Sequence, residues 1–289
     1  MMKVLRTLAE LRKVRANLPE PFGLVPTMGS LHEGHLSLVR RAKAECSSVG
    51  VSIFVNPTQF GANEDLASYP RDLDRDLRML EGEQVDVVWT PQASEVYPPG
   101  YQTWVTVEEV SRPLEGVRRP GHFRGAATVV AKLFNAFQPQ KAYFGQKDVQ
   151  QVTVIKRMAA DLDFPIEVVV CATVREPDGL AMSSRNAYLK PDERRSAPVL
   201  FRALSSARKA FDGGERDAER LREILSGVLK TEPLAKIRYV SVAEPSTLTE
   251  LSGSVGAGLV SLAVQIGKTT LIDNTLVGGE DPGGEAPHE

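Results

Sequence analysis

The chain has 289 residues, is 42% hydrophobic and 25% charged, and carries a net charge of −2. That balance is one of a soluble globular protein with one large or two ordinary domains, and it excludes a disordered or fibrous chain. Without a basic block, nonspecific nucleic-acid binding is not expected, and apolar runs such as 168–174 are too short to span a bilayer. The N-terminus lacks an apolar h-region, so no secretory signal is expected. Cys46 and Cys171 each lie in an apolar element and are expected to be buried thiols of a cytoplasmic protein.

In chain order, strands are predicted over 22–26, 49–55, 85–89, 142–144 and 167–174. Helices are predicted between them over 34–46, 73–80, 128–137 and 149–160. This alternation predicts an α/β fold with a parallel sheet, Rossmann-like in type. Its strands are Val/Ile-rich without alternation, as strands buried on both faces are. After about residue 185 the composition changes. Helices over 196–211 and 217–229 and strands over 237–242, 259–266 and 269–273 predict a smaller α+β domain. The domains are set at 1–178 and 179–278. The Gly/Pro/Glu-rich tail 279–289 is expected to be disordered.

Ligands of such sheets bind beyond the carboxyl ends of the strands, and the loaded segments fall there. Pro26 to His35 holds a strand end, a glycine turn and a helix start with His32 and His35 three residues apart. A helix start offers free N–H groups to a phosphate, and two imidazoles on one face can reach one phosphoryl group. The alternatives are capping histidines or a metal pair. Asn56 and Gln59 close the next strand and suit a small polar substrate, or only turn chemistry. His122 and Arg124 lie in a glycine-flanked loop before a helix, where Arg124 reads as a surface residue. Gly145, Gln146, Lys147 and Asp148 form another strand end, with Gln151 one turn on. Lys147 suits a phosphate oxygen, or is simply solvated. Met182, Ser183, Ser184 and Arg185 form a hydroxyl-rich loop able to fold on a triphosphate, or a helix cap. No Walker-A loop, Gly-x-Gly-x-x-Gly or Cys-x-x-Cys occurs.

Together these motifs resemble the pantothenate synthetase family. The resemblance rests on Pro-Thr-Met-Gly-x-Leu-His-x-Gly-His, Phe-Val-Asn-Pro-x-Gln-Phe, Tyr-Pro-Arg, Gly-His-Phe-x-Gly, Phe-Gly-x-Lys-Asp-x-Gln-Gln and Met-Ser-Ser-Arg-Asn, in that order between Pro26 and Leu189. A late Ile-Asp-Asn segment agrees as well. The family belongs to the His-x-Gly-His nucleotidyltransferases. The resemblance implies a Rossmann-like domain with a small C-terminal lid, and a cytoplasmic, magnesium-using homodimer. It implies ATP-driven joining of pantoate to β-alanine through a pantoyl-adenylate, with release of diphosphate and AMP.

Carried over by residue, the resemblance puts ATP on Met28, Gly29, Ser30, Leu31, His32, Glu33, Gly34 and His35. Further ATP contacts are implied at Gly145, Gln146, Lys147, Asp148, Val174, Met182, Ser183, Ser184 and Arg185. It makes His35, His32, Lys147 and Arg185 catalytic. Gln59 and Gln151 take pantoate, Gln59 also meets β-alanine, and Mg2+ arrives on the ATP phosphates. The family usually has Glu where this chain has Gln146; the change is read as silent, with only the backbone used. Rival readings are a transferase that leaves the nucleotide on its product and a nucleotide sensor without turnover. The carboxamides of Gln59 and Gln151 speak against the first, His35 and Arg185 against the second.

Overall fold

The computed structural model describes residues 2–62 and 64–279. The expected disordered tail therefore lies outside the described residues from 280 onward. The chain forms two units, one of residues 1–145 and 150–171, the other of 146–149 and 172–289.

The first unit opens with β1 (Lys3–Leu5) and α1 (Leu8–Arg15), followed by β2 (Phe22–Thr27), α2 (Glu33–Glu45), β3 (Ser48–Ile53), α3 (Leu73–Gly82) and β4 (Val87–Trp89). Short helices α4 (Ala93–Val96) and α5 (Glu115–Arg118) precede α6 (His122–Phe137), β5 (Lys141–Gly145), α7 (Val149–Asp161) and β6 (Glu167–Cys171). The six strands form one parallel sheet in the order β1-β4-β3-β2-β5-β6. The chain works outward from β2 through β3 and β4, then resumes on the other side of β2 with β5. The switch point thus lies between β2 and β5, whose carboxyl ends are Thr27 and Gly145. Pairing between them covers only Gly23↔Lys141 and Leu24↔Ala142, whereas β2 and β3 pair along their whole length.

Burial explains the unbroken apolar strands. Phe22, Leu24, Val25, Val49 and Val51 are fully buried. Helix α2 lays Leu36, Val39 and Ala42 on one core that includes Val25, Val51 and Tyr143. Elsewhere Phe22 stacks on Phe137, and Trp89 meets Phe137 edge-on. Each such side chain contributes about 1.5–3 kcal/mol on burial. Cys46 and Cys171 are free and buried, and burial pushes the Cys171 thiol up to about 11.

The helix predicted over 128–137 is longer than expected, and two elements appear that were not predicted. Helix α6 starts at His122, not 128, because Gly121 (φ 84°) supplies a left-handed N-cap and the supposed loop is the first helical turn. Strand β1 and helix α1 went unread. They bury little, and α1 is set by local chemistry, a reciprocal capping box between Thr7 and Glu10.

In the second unit α8 (Pro191–Ser196), α9 (Val199–Asp212) and α10 (Ala218–Leu229) precede β7 (Ala235–Ala243), β8 (Gly258–Ile266) and β9 (Thr269–Val277). The strands form an antiparallel sheet in that order. Leu200, Leu204, Leu221 and Leu225 pack with Val242, Val260, Leu262 and Val264 in one core. The single helix predicted over 196–211 is broken after Ser196, where Pro198 cannot donate to the helical ladder.

Candidate active site

The turn from β2 to α2 has two consecutive left-handed residues, Gly29 (φ 79°) and Ser30 (φ 52°). Only glycine takes that conformation without cost, and a Cβ at Gly29 would also lie 3.0 Å from Asp76 Oδ2. Asp76 holds the turn. Its carboxylate, 1% exposed, accepts the N–H of Ser30 and of Leu31, both at 2.8 Å. The neighbouring Arg75 donates to the Leu31 carbonyl at 2.9 Å. Burial pushes the Asp76 carboxyl above its ordinary value, against the opposing pull of the Leu31 and Ser30 N–H groups and of Arg75.

His32 is the N-cap residue of α2, and His35 lies one turn on. Their rings stand 4.1 Å apart. The His32 N–H donates to His35 Nδ1 at 3.3 Å. An N–H can only donate, so Nδ1 is the acceptor and a neutral His35 carries its proton on Nε2. The backbone N–H groups of Glu33 and Gly34, the first two helical residues, have no backbone acceptor among the described residues and are presented to an anion.

After β3, residues Pro57–Gln59 form a 3-10 turn. Asn56, 1% exposed, is fully used. Its Oδ1 accepts from Thr58 Oγ1 and Tyr97 OH, both at 2.9 Å, and its Nδ2 donates to Gln59 Oε1 and the Gly125 carbonyl. Burial pushes the Tyr97 hydroxyl up to about 12. Asn56 is therefore the support of Gln59, whose Nε2 reaches Met28 Sδ at 3.3 Å. The structure thus joins two of the predicted segments. His122 Nδ1 donates to the Gln59 carbonyl at 2.8 Å while Arg119 donates to His122 Nε2. Arg119 is itself held by Glu64. Arg124 lies over Trp104, 4.3 Å from its ring centroid, which agrees with a surface role. On α7, Gln150 is consumed by Glu115, Val110 and Pro113. The Gln151 side chain is half-buried and makes no hydrogen bond to another described residue.

In the second unit, Gln146–Asp148 form a 3-10 turn with Lys147 Nζ 3.6 Å from Asp148 Oδ1. Asn274 of β9 grips this turn. Its Nδ2 donates to the carbonyls of Gln146 and Lys147, and its Oδ1 accepts from Gln146 Nε2, all at 3.0 Å. The Gln146 side chain is therefore engaged with Asn274. Asp273 takes Arg175 in a two-point ion pair at 2.6 and 3.1 Å. Val174 accepts the Met182 N–H, closing a hairpin around Pro177, Asp178 and Gly179. Ser183 caps the turn Ser184–Tyr188 by accepting the Arg185 N–H.

Residues 3–276, which include the paired-histidine helix start, the carboxamide support and the lysine turn, match the model of pantoate-beta-alanine ligase. The chain belongs to the pantoate–β-alanine ligase family. Membership makes it an enzyme of the ligase class. A pantothenate synthetase from Roseiflexus sp. (strain RS-1) is 59% identical over 276 residues, 96% of this chain and 99% of the relative. One from Chloroflexus aurantiacus is 57% identical over 281 residues, again 96% of this chain and 99% of the relative. Among solved structures, pantothenate synthetase from Thermus thermophilus superposes with a TM-score of 0.91 at 47% identity, covering 95% of this chain and 99% of the other. Pantoate-beta-alanine ligase from Francisella tularensis, complexed with beta-gamma ATP and β-alanine, gives a TM-score of 0.80 at 34% identity, covering 98% and 100%.

Four residues that sequence reasoning left without a role stand out beside the ligase motifs. Asp76 follows the Tyr-Pro-Arg motif, and Asn274 and Asp273 are the Asp-Asn of the late segment. Arg119 precedes the Gly-His motif. Each acts on backbone or on another side chain, so each lacked the motif spacing that marks a ligand contact.

Proposed function

We propose that this ligase condenses pantoate with β-alanine at the expense of ATP through a pantoyl-adenylate. The observation that carries the reading is the imidazole pair on the first turn of α2, with the His35 proton fixed on Nε2. A pantoate carboxylate oxygen attacks the α-phosphorus, the bond to the bridging oxygen breaks, and diphosphate leaves. Charge grows on the α-phosphate oxygens as this happens, and His32 and His35 are suited to stabilise it. The β-alanine amine then attacks the acyl carbon, loses a proton and expels AMP.

In this reading ATP is bound by Met28, Gly29, Ser30, Leu31, His32, Glu33, Gly34, His35, Gly145, Gln146, Lys147, Asp148, Val174, Met182, Ser183, Ser184 and Arg185. Lys147 and Arg185 compensate phosphate charge. Gln59 and Gln151 hold pantoate, and Gln59 also meets β-alanine. Mg2+ would arrive on the ATP phosphates and would supply charge neutralisation for the leaving diphosphate.

The working enzyme is a cytoplasmic homodimer. Residues 101–107, a β-prone run, belong to no strand among the described residues, which fits a second copy as partner. Among the described residues no helix is long and apolar enough to cross a membrane.

Pantoate labelled with 18O in its carboxylate tests the chemistry. One label should appear in AMP for each pantothenate formed. ADP as the nucleotide product, or unlabelled AMP, would overturn the adenylate route.

A further inference from the structure

Strand β9 carries two adjacent polar residues that are almost wholly buried, Asp273 at 2% and Asn274 at 3% exposure. Both sit in the sheet of the small unit, where buried polar groups are costly unless fully bonded. Both are fully bonded, and neither bond set serves the sheet. Asn274 uses both amide hydrogens on successive carbonyls, Gln146 and Lys147, and its oxygen on the Gln146 amide. Asp273 holds Arg175, which follows Val174, and Arg175 in turn donates to the Gly179 carbonyl. Asp273 Oδ1 also accepts the Asn274 N–H at 2.8 Å, which ties the two residues to each other.

We propose that Asn274, braced by Asp273, is a positioning residue for ATP: it sets the backbone of the turn that presents Lys147. The inference rests on the reading of Gln146–Asp148 as a nucleotide-binding turn. Asn274 touches no reacting atom in this scheme. It acts through the direction of two peptide planes and so through where Lys147 Nζ stands. Loss of the amide would take its two donors from the Gln146 and Lys147 carbonyls and let the turn relax. A carboxylate cannot donate to Asn274 Oδ1, so Gln146 gives the turn a bond to Asn274 Oδ1 that Glu could not make.

The test compares three variants of the full-length enzyme: Lys147→Ala, Asn274→Asp, and both together. The aspartate substitution keeps the size of the side chain but loses the two donors. Asn274→Asp should raise KM for ATP about tenfold, as loss of buried hydrogen bonds does, and leave KM for pantoate within about twofold. Added to Lys147→Ala, it should cost little more, because the two act in series. If Lys147→Ala itself leaves ATP use unchanged, the reading of the turn fails and the proposal falls with it. If Lys147→Ala is impaired but Asn274→Asp matches the parent, or their effects multiply, the turn reading stands and the positioning role is wrong. Should Asn274→Asp not fold, Gln146→Ala removes a single tether. It should raise KM for ATP a few-fold with pantoate unaffected; unchanged or equal effects on both substrates would overturn the proposal.

Discussion

His35 Nδ1 accepts the backbone N–H of His32 at 3.3 Å, and this bond decides which nitrogen of His35 can act. With Nδ1 occupied, only Nε2–H is left to donate to a substrate oxygen. The first residue of the pair thus sets the tautomer of the second.

Replacing either imidazole should cost catalysis without costing the fold. His32→Ala and His35→Ala are each expected to lower kcat on the order of 10²-fold or more, the size of a lost preorganised contact to developing charge. Neither residue is fully buried, so melting temperatures should stay near the parent value. Steady-state kinetics with a thermal melt checks this, and near-normal turnover in both variants would mean that they only cap α2.

Asp76→Asn should act on the same turn from behind. An amide can accept one of the two N–H groups of Ser30 and Leu31 but turns a donor toward the other. The expected loss is about 1–3 kcal/mol of stability, with a raised KM for ATP. Urea unfolding and ATP titration of the variant measure both. If stability and ATP affinity are unchanged, the carboxylate does not hold the turn.

The carboxamide side should respond to pantoate instead. Gln59→Ala and Gln151→Ala should raise KM for pantoate far more than KM for ATP. Asn56→Ala should copy Gln59→Ala and add a stability cost of about 1–3 kcal/mol, because the Gly125 carbonyl and the Tyr97 hydroxyl each lose a buried hydrogen bond. Gly125→Ala should do so by another route, since its Cβ would fall 2.3 Å from the Thr58 carbonyl oxygen and must displace the turn. Equal losses for ATP and pantoate across these variants would remove the substrate assignment.

Acid stability should depend on Glu45. Burial alone would raise its carboxyl, but hydrogen bonds from Arg41, Lys141 and Tyr143 bring it down to about 2. A depressed folded pKa means stability that is present above the unfolded value, near pH 4.3, and lost as pH falls through about 2. Glu45→Gln should therefore be less stable at pH 7, by about 1–2 kcal/mol after solvent screening. The difference from the parent should shrink toward pH 2. Denaturation curves over that range check it, and a gap that does not narrow would assign the effect to packing.

The alternation of Val/Ile-rich runs with amphipathic segments made the parallel sheet legible, because strands buried on both faces must be apolar throughout. The histidine pair was legible too, since three-residue spacing puts two rings on one helical face whatever surrounds them. Even Gly29 carries its meaning locally, as a left-handed turn asks for glycine. The supports were not legible. Asp76, His122, Gln150 and Asn274 bond to groups 45, 63, 35 and 128 positions away in the chain. A buried polar side chain is tolerable only when its partners arrive. Those partners are brought by the packing of helices and strands, so which carboxylate or amide becomes a support was decided in three dimensions.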